Sequence, residues 1–418
     1  MMFFKLFAKE CGQMLKSLIY YLFLAALIFF YVSQVGSFTP YSEPLKGQEE
    51  SYGLKASSDK QEIMGATLAI LAREYEGNSY TAYPVGFYKN VVLTEEKQEK
   101  IHQILTACTG MEEGYTEAIR ESGEKTQIEN GAVVQMTGVN PPLLAPAKDL
   151  PYDKFLRYMK KADKIIGGGT SYSSDNIKNN AKTYSTYEDA KEIYDASLYT
   201  DRISGGKARL FCDYMGIILG LLPVFLAVTR TLRDRRSMAQ EVIYARRASS
   251  VTIIAARYFA AVFLIVVPLL LLSVMPTLQC IYYGHQLGVS VDLLAYGKYI
   301  LGWILPETAF VLALGFFLSE SVGGPAAILV QVVIWVAGIS AGGTKLVGSV
   351  GWNLIPRFNS DQSTDIWQSV YGQMVRNRLL YAGLALVLMA GTVLIYHMKR
   401  KGVLGGRGKN FIHRKRTL

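Results

Sequence analysis

Apolar residues fall in long blocks along this chain, not in the short alternations of a soluble fold. Residues 17–35, SLIYYLFLAALIFFYVSQV, carry no charge. A helix of about that length crosses a ~30 Å hydrocarbon core. Residues 36–209 are then polar and densely charged. Apolar blocks return at 210–228, 258–280, 299–318, 325–340 and 379–396. The 325–340 block is short and is expected to extend over the small residues 341–343 or to lie tilted. The pattern predicts a mainly α, polytopic membrane protein with six transmembrane helices. An α+β extracellular domain, 36–209, is inserted between helices one and two. A cleaved signal peptide is the other reading of 17–35, with Val35 to Ser37 as a weak cleavage site. The apolar run is long for that role and no A-x-A-like site follows, so a retained helix is expected.

The first 16 residues read as an amphipathic interfacial helix on the cytoplasmic side. Phe3, Phe4, Phe7, Cys11, Met14 and Leu15 can share a face, with Lys5, Lys9 and Lys16 elsewhere. A plain basic flank to a membrane helix is the simpler reading of the same residues. Inside the polar block, helical spacing and capping signals predict helices over 58–74, 94–109, 152–166 and 187–198, with a strand somewhere in 85–93. Asn140-Pro-Pro and Gly167-Gly-Gly mark loops.

Charge fixes an orientation. Half of the 418 residues are hydrophobic, 19% are charged, and the net charge is +10. On a six-span layout the N-terminus, the loop 229–257 and the tail 397–418 share one side, with 18 basic residues and a net +14 there, Glu320 included. The block from 37 to 209 carries −4. Lys and Arg enrichment marks cytoplasmic loops, so both termini are expected in the cytoplasm and 36–209 outside. The basic balance therefore reports topology, and no nucleic-acid partner is expected. The tail beginning at Lys399 follows a membrane span, where anionic lipid explains its charge.

Chemical motifs are sparse. There is no HExxH, no CxxC and no G-x-x-x-x-G-K-[ST], so no catalytic, metal or cofactor residue is assigned. His102, His285, His397 and His413 are scattered without a metal or nucleophile pattern. Four cysteines leave a disulfide among Cys108, Cys212 and Cys280 possible but unsupported by spacing. Two features lie in the spans. Glu307, beside Pro306, is an intramembrane carboxylate and so a functional candidate; the other reading places it nearer the outer surface. Gly216 and Gly220, and Gly338 and Gly342, have the spacing that lets helices approach closely, within the subunit or between subunits. Asp213, near Arg209, reads as an anchor at the outer end of span two.

The stretch LFCDYMGIILGLLPVFLAVTRTLRDRRSMAQEVIYARRASSVTIIAARYFAAVFLIVVPLLLL, followed later by WILPETAFVLALGFFLSESVGG, resembles the permease subunits of ABC transporters of the type-2 exporter class. The similarity rests on the layout, with Glu241, Ser249-Ser250 and Leu305-Pro306 as loose motifs. Where the family often has a Pro-Ser-Arg-like step, this chain has Arg246-Arg247-Ala248-Ser249. The resemblance implies a cytoplasmic ABC ATPase partner that binds ATP and Mg²⁺, a second permease subunit (identical or related), and a cytoplasmic-membrane location. It implies that this chain is a transport subunit, not itself an enzyme. Its ATPase-coupling loop would comprise Arg235, Arg236, Met238, Glu241, Val242, Ile243, Arg246 and Arg247. Met238, Val242 and Ile243 can form a short apolar ridge with a charged rim, the pattern of a helix seated in a partner's groove. Topology alone also explains the arginines. A membrane sensor, whose outside domain binds a peptide or antibiotic and signals inward, is the competing function.

Overall fold

The computed structural model describes residues 2–47, 51–84, 88–125, 143–236, 240–245, 247–343 and 345–403. Asn140-Pro-Pro, Met238, Arg246, His413 and the tail beyond 403 lie outside the described residues. The chain divides into two compact units: residues up to Tyr41 together with Ile193 onward, and Ser42–Glu192. The second unit is narrower at both ends than the polar block 36–209.

Helix α1 (Met2–Met14) meets α2 (Leu18–Gln34) at a 73° bend. Sequence reading put Phe3, Phe4, Phe7, Cys11, Met14 and Leu15 on one face. In the structure Glu10 and Met14 are buried, while Phe4 and Leu15 are exposed. The packed edge runs Phe3, Phe7, Glu10, Met14, and a charged residue sits inside it.

The Ser42–Glu192 unit opens with strand β1 (Leu54–Ala56) and helix α3 (Lys60–Glu76). Asp59 caps α3 by accepting a hydrogen bond from the Gln61 N–H at 2.7 Å, satisfying one orphan donor of the first turn. Strands β2 (Tyr80–Ala82) and β3 (Lys89–Val91) pair antiparallel. Helix α4 (Glu95–Thr109) has two acids in its first turn and ends on Gly110 in the left-handed region, the usual glycine C-terminus. Helices α5 (Tyr115–Lys125) and α6 (Tyr152–Ile166) follow, then β4 (Lys182–Tyr184), which pairs with β1, and α7 (Tyr187–Asp195). A core of Leu68, Leu71, Leu105, Phe155, Met159 and neighbouring side chains closes the unit. Gly167, Gly168 and Gly169 turn the chain after α6 with φ of +129°, +87° and +69°. At Gly169 a Cβ would collide with the Tyr83 carbonyl, so only glycine fits there.

The remaining elements are long helices. After a π-helical turn, Ala196–Thr200, come α8 (Ser204–Leu219) and α9 (Pro223–Arg236), which form one broken run, Ser204–Asp234. The short α10 (Gln240–Tyr244) precedes α11 (Ser250–Leu272) and α12 (Val274–Leu287). Next are α13 (Ala295–Tyr299), a second π turn at Ile300–Ile304, and α14 (Leu305–Ser321). Helix α15 (Gly324–Gly343) leads to a two-stranded ribbon, β5 (Val347–Ser349) with β6 (Arg357–Phe358), and α16 (Thr364–Arg400) ends the described chain. Among the described residues five helical runs are long and apolar enough to cross a membrane: Ser204–Asp234, Ser250–Leu287, Ala295–Ser321, Gly324–Ala341 and Thr364–Arg400; a sixth is counted if the bent α1–α2 pair is one span. Most run well beyond the apolar windows of the sequence, because polar residues continue a helix wherever packing and capping support them.

Helix α14 is the centre of this unit, packed against α9, α15 and α16. At Gly315 a Cβ would come within 2.8 Å of the Ala227 Cβ, so the α9 and α14 backbones touch closely there. Phe3 and Phe7 of α1 make edge-to-face contacts with Phe259 and Phe263 of α11.

Candidate functional site

Glu307 lies midway along the Ala295–Ser321 run and is fully buried, at 0% exposure. Its partner is Arg378 of α16, whose Nη1 donates to Glu307 Oε2 at 3.1 Å. Arg378 also donates to the carbonyls of Trp303 (3.2 Å) and Leu354 (2.8 Å) and to Asn377 Oδ1 (2.9 Å from Nε). Asn377 in turn donates to the carbonyls of Gly351 and Asn353. One ion pair thus ties α14, α16 and the irregular segment before β6. That segment is packed between helices. A Cβ on Gly220, near the middle of the α8–α9 run, would meet Ile355 at 2.6 Å, and one on Gly338 would touch the same side chain at 3.8 Å. Buried backbone carbonyls outside helices need donors, which Arg378 and Asn377 supply here.

The small residues singled out by spacing therefore have own-chain neighbours. Gly216 faces Glu307, whose oxygens would lie 3.4 and 3.5 Å from an added Cβ. Gly220 gives up its carbonyl to Gln331 Nε2 of α15 at 2.5 Å. Gly342 lies at the end of α15.

Asp213 is a correction. Sequence reading placed it beside Arg209 as an end-of-span anchor. It is fully buried and accepts from Arg357 (Nε 3.1 Å, Nη2 3.0 Å) and from the Phe358 N–H. Arg209 instead forms a two-pronged pair with Asp201 and stacks over Phe358 and Trp367. The i,i+4 spacing of Arg209 and Asp213 on α8 allowed that pairing, but the carboxylate before the helix and the arginine of β6 outcompete it.

The basic loop has structure that a charge count does not show. Arg230 and Arg257, counted among its charges, are both buried. Arg230 binds Glu10 of α1 through Nε and Nη2 (the latter 2.7 Å) and Asp234 at 2.8 Å; Arg257 binds Asp234 and lies 3.6 Å from Glu10. Two acids and two arginines join α1, α9 and α11. Truncating one partner of such a buried set strands a charge.

Beside this cluster sits α10. Val242 is 63% exposed, whereas Ile243 packs inward toward Ala248, Ile253, Ile254 and Tyr396. The two residues do not share a face. Arg400 holds the segment by donating to the carbonyls of Tyr244 (2.8 Å) and Ala248 (2.6 Å), and Ser249 caps α11 by accepting from the Thr252 N–H. Arg247 is exposed. Arg235 and Arg236 end α9, and Glu241 lies in α10.

At the opposite helix ends a cleft of about 520 Å³ opens among Arg202, Asp292, Lys298, Tyr299, Trp303 and Tyr371. Trp367 stacks on Trp303 at 5.8 Å between centroids, with Tyr299 and Tyr371 edge-on to it. Burial alone would raise the Asp292 carboxyl, but hydrogen bonds from Lys298 Nζ (2.6 Å) and the Leu294 N–H (3.0 Å) hold it below its ordinary value. His102 has a structural place, stacked on Tyr75 with Nε2 2.7 Å from the Glu112 carbonyl. All four cysteines are free.

The roles of Arg378, Arg357, Asp201 and Ile355 were missed by sequence reading. Arg378 did leave a signal, a charged residue abutting the apolar window at 379. Comparison of the chain with protein-family models, with curated proteins and with solved structures finds no match.

Proposed function

We propose that this chain is the membrane-spanning permease subunit of an ATP-driven exporter, powered by a separate ATPase. The observation that carries the reading is α10: a short helix between two spanning-length runs, clamped by Arg400 and presenting Val242 outward. An exposed apolar residue on a held helix suits a partner's groove. The Glu10–Arg230–Asp234–Arg257 set supports it, because it couples both flanks of that helix to α1. On this reading α1–α2 supplies the sixth span, both termini and α10 are cytoplasmic, and the Ser42–Glu192 unit is outside the cytoplasmic membrane. ATP and Mg²⁺ sit on the partner, and a second permease subunit completes the pathway. The test is co-purification from native membranes, with any ABC ATPase in the eluate identified by mass spectrometry, using wild type, Val242→Asp and Glu241→Arg. Wild type should retain a stoichiometric ATPase and both variants should lose it. An ATPase that is never recovered, or one indifferent to both substitutions, overturns the proposal.

A sensing role is favoured by one feature. The Ser42–Glu192 unit has its own core and a cleft of about 670 Å³ between α4 and α6, lined by Lys100, Lys161, Lys164 and Tyr158. Lys100 pairs with Glu96, and Lys161 and Lys164 are left to suit an anionic ligand. Deleting the unit should leave ATPase recruitment intact and abolish only a ligand response.

A further inference from the structure

The aromatic cleft at the helix ends opposite α10 has four properties that packing alone does not require. Its wall is apolar and aromatic: Tyr299, Trp303, Trp367 and Tyr371, continued by Met374 and Val375. Trp303 is 2% exposed and its indole Nε1 is buried without an acceptor; a buried donor left unpaired costs free energy. At the rim Lys298 is neutralised by Asp292, and Asp201 by Arg209. Arg202, exposed on the same rim, makes no ion pair within 4 Å among the described residues and shares the field of Asp292 with Lys298, so two cations face one carboxylate and the mouth keeps a net positive charge. Finally, Arg202 and Ile203 are held at φ +47° and +63°. That is an unusual conformation for any side chain and an outlier for a β-branched one. Ile203 is fully buried and locks the kink, which places Arg202 at the mouth. Strain of this kind persists where the surroundings over-determine it, and it clusters at ligand sites.

We infer that this cleft binds an amphiphile whose phosphate head carries a net negative charge, with no cation of its own to repel Arg202: the apolar body lies against the Trp303–Trp367–Tyr371 wall, the head on Arg202. Aromatic residues concentrate at the depth of lipid headgroups, and a guanidinium matches phosphate geometry with two parallel donors. The occupant is a lipid of the bilayer that surrounds the helices, and free phosphate is the source to be distinguished from it. The inference rests on the membrane-spanning helices and not on the ATPase, so either can fail alone.

The experiment uses full-length protein in phosphatidylcholine nanodiscs. Brominated phosphatidylglycerol or brominated phosphatidylcholine is added at equal mole fraction, and tryptophan quenching is read. Two of the four tryptophans line the cleft, so a bound lipid quenches up to about half of the signal. Wild type should be quenched several-fold more efficiently by the anionic lipid. Arg202→Gln, a change at an exposed side chain, should equalise the two lipids, whereas Lys298→Gln should keep most of the preference. Inorganic phosphate at millimolar concentration should leave the quenching unchanged. Equal quenching of wild type by both lipids, a preference surviving Arg202→Gln, or displacement by phosphate alone each overturns the assignment. The wild-type comparison needs no variant to fold.

Discussion

The sharpest test of the architecture is the pair Glu307–Arg378. Replacing Arg378 with Met keeps much of the volume but leaves Glu307, at 0% exposure, without its cation. It also frees the carbonyls of Trp303 and Leu354. Breaking a buried pair from one side costs about 3–5 kcal/mol. Glu307→Gln is milder, because the amide oxygen can still accept from Arg378 and the carbonyl bonds persist; about 1–3 kcal/mol is expected. The double variant removes the stranded carboxylate. Its loss should therefore fall short of the sum of the two single losses by more than about 1 kcal/mol, within the coupling seen for contacting residues. Unfolding in mixed micelles with rising dodecyl sulfate, followed by tryptophan emission, measures all three. Trp303 lies beside the pair and reports directly. If Arg378→Met unfolds within about 0.5 kcal/mol of wild type, the range of an ordinary surface change, or if the two losses simply add, the pair does not hold these helices together.

Three further outcomes are expected. Glu10→Lys reverses the acid between Arg230 and Arg257, and limited trypsin digestion should cleave at Lys9 and Lys16 at least tenfold faster, since losing a buried pair costs several kcal/mol. Gly169→Ala forces a Cβ onto the Tyr83 carbonyl at φ +69°. A cost of about 1–3 kcal/mol follows, visible as faster hydrogen exchange of the Tyr83 amide, which donates to Gly169 O at 3.1 Å. Burial raises the Glu74 carboxyl despite its bonds to Tyr172 and the Thr81 N–H. The folded unit then holds the proton more tightly than the unfolded chain, so stability falls as pH rises from the ordinary carboxylate pKa through the raised one. Glu74→Gln should flatten that slope in urea unfolding between pH 4 and 7, and an unchanged slope would contradict it.

Local signals carried much of this fold into view. Asp59 and Thr94 flag the starts of α3 and α4, the three glycines after Ile166 flag a turn, and helices appear where spacing predicts them. Such signals reside within one or two turns of chain. Partners far apart in sequence do not. Nothing in the neighbourhood of Arg230 announces Glu10, 220 residues away, and nothing near Asp213 announces Arg357, 144 residues away. A charge count uses Arg230 and Arg257 as topology markers without showing that they are paired, and Ile355 goes unremarked because Leu354 and Ile355 before Pro356 make too short an apolar run to have a period. The ends of the long helices were underestimated for a related reason. Hydropathy measures what a bilayer accepts, whereas the helix continues as far as its hydrogen bonds and neighbours allow.

The two π turns, Ala196–Thr200 and Ile300–Ile304, both border the aromatic cleft. A π turn holds one residue more than the α-helical turn it interrupts, and each residue of an α-helix advances the azimuth by about 100°. Deleting a single codon within 300–304 would restore a plain helix. Lys298 and Tyr299 on one side and Glu307 on the other would keep their bearings, because four residues at about 100° turn the chain through nearly the same angle as the five of the π turn. The extra residue thus shapes the cleft wall at Gly302 and Trp303, and the Trp303 carbonyl that Arg378 engages, without re-aiming the helix on either side.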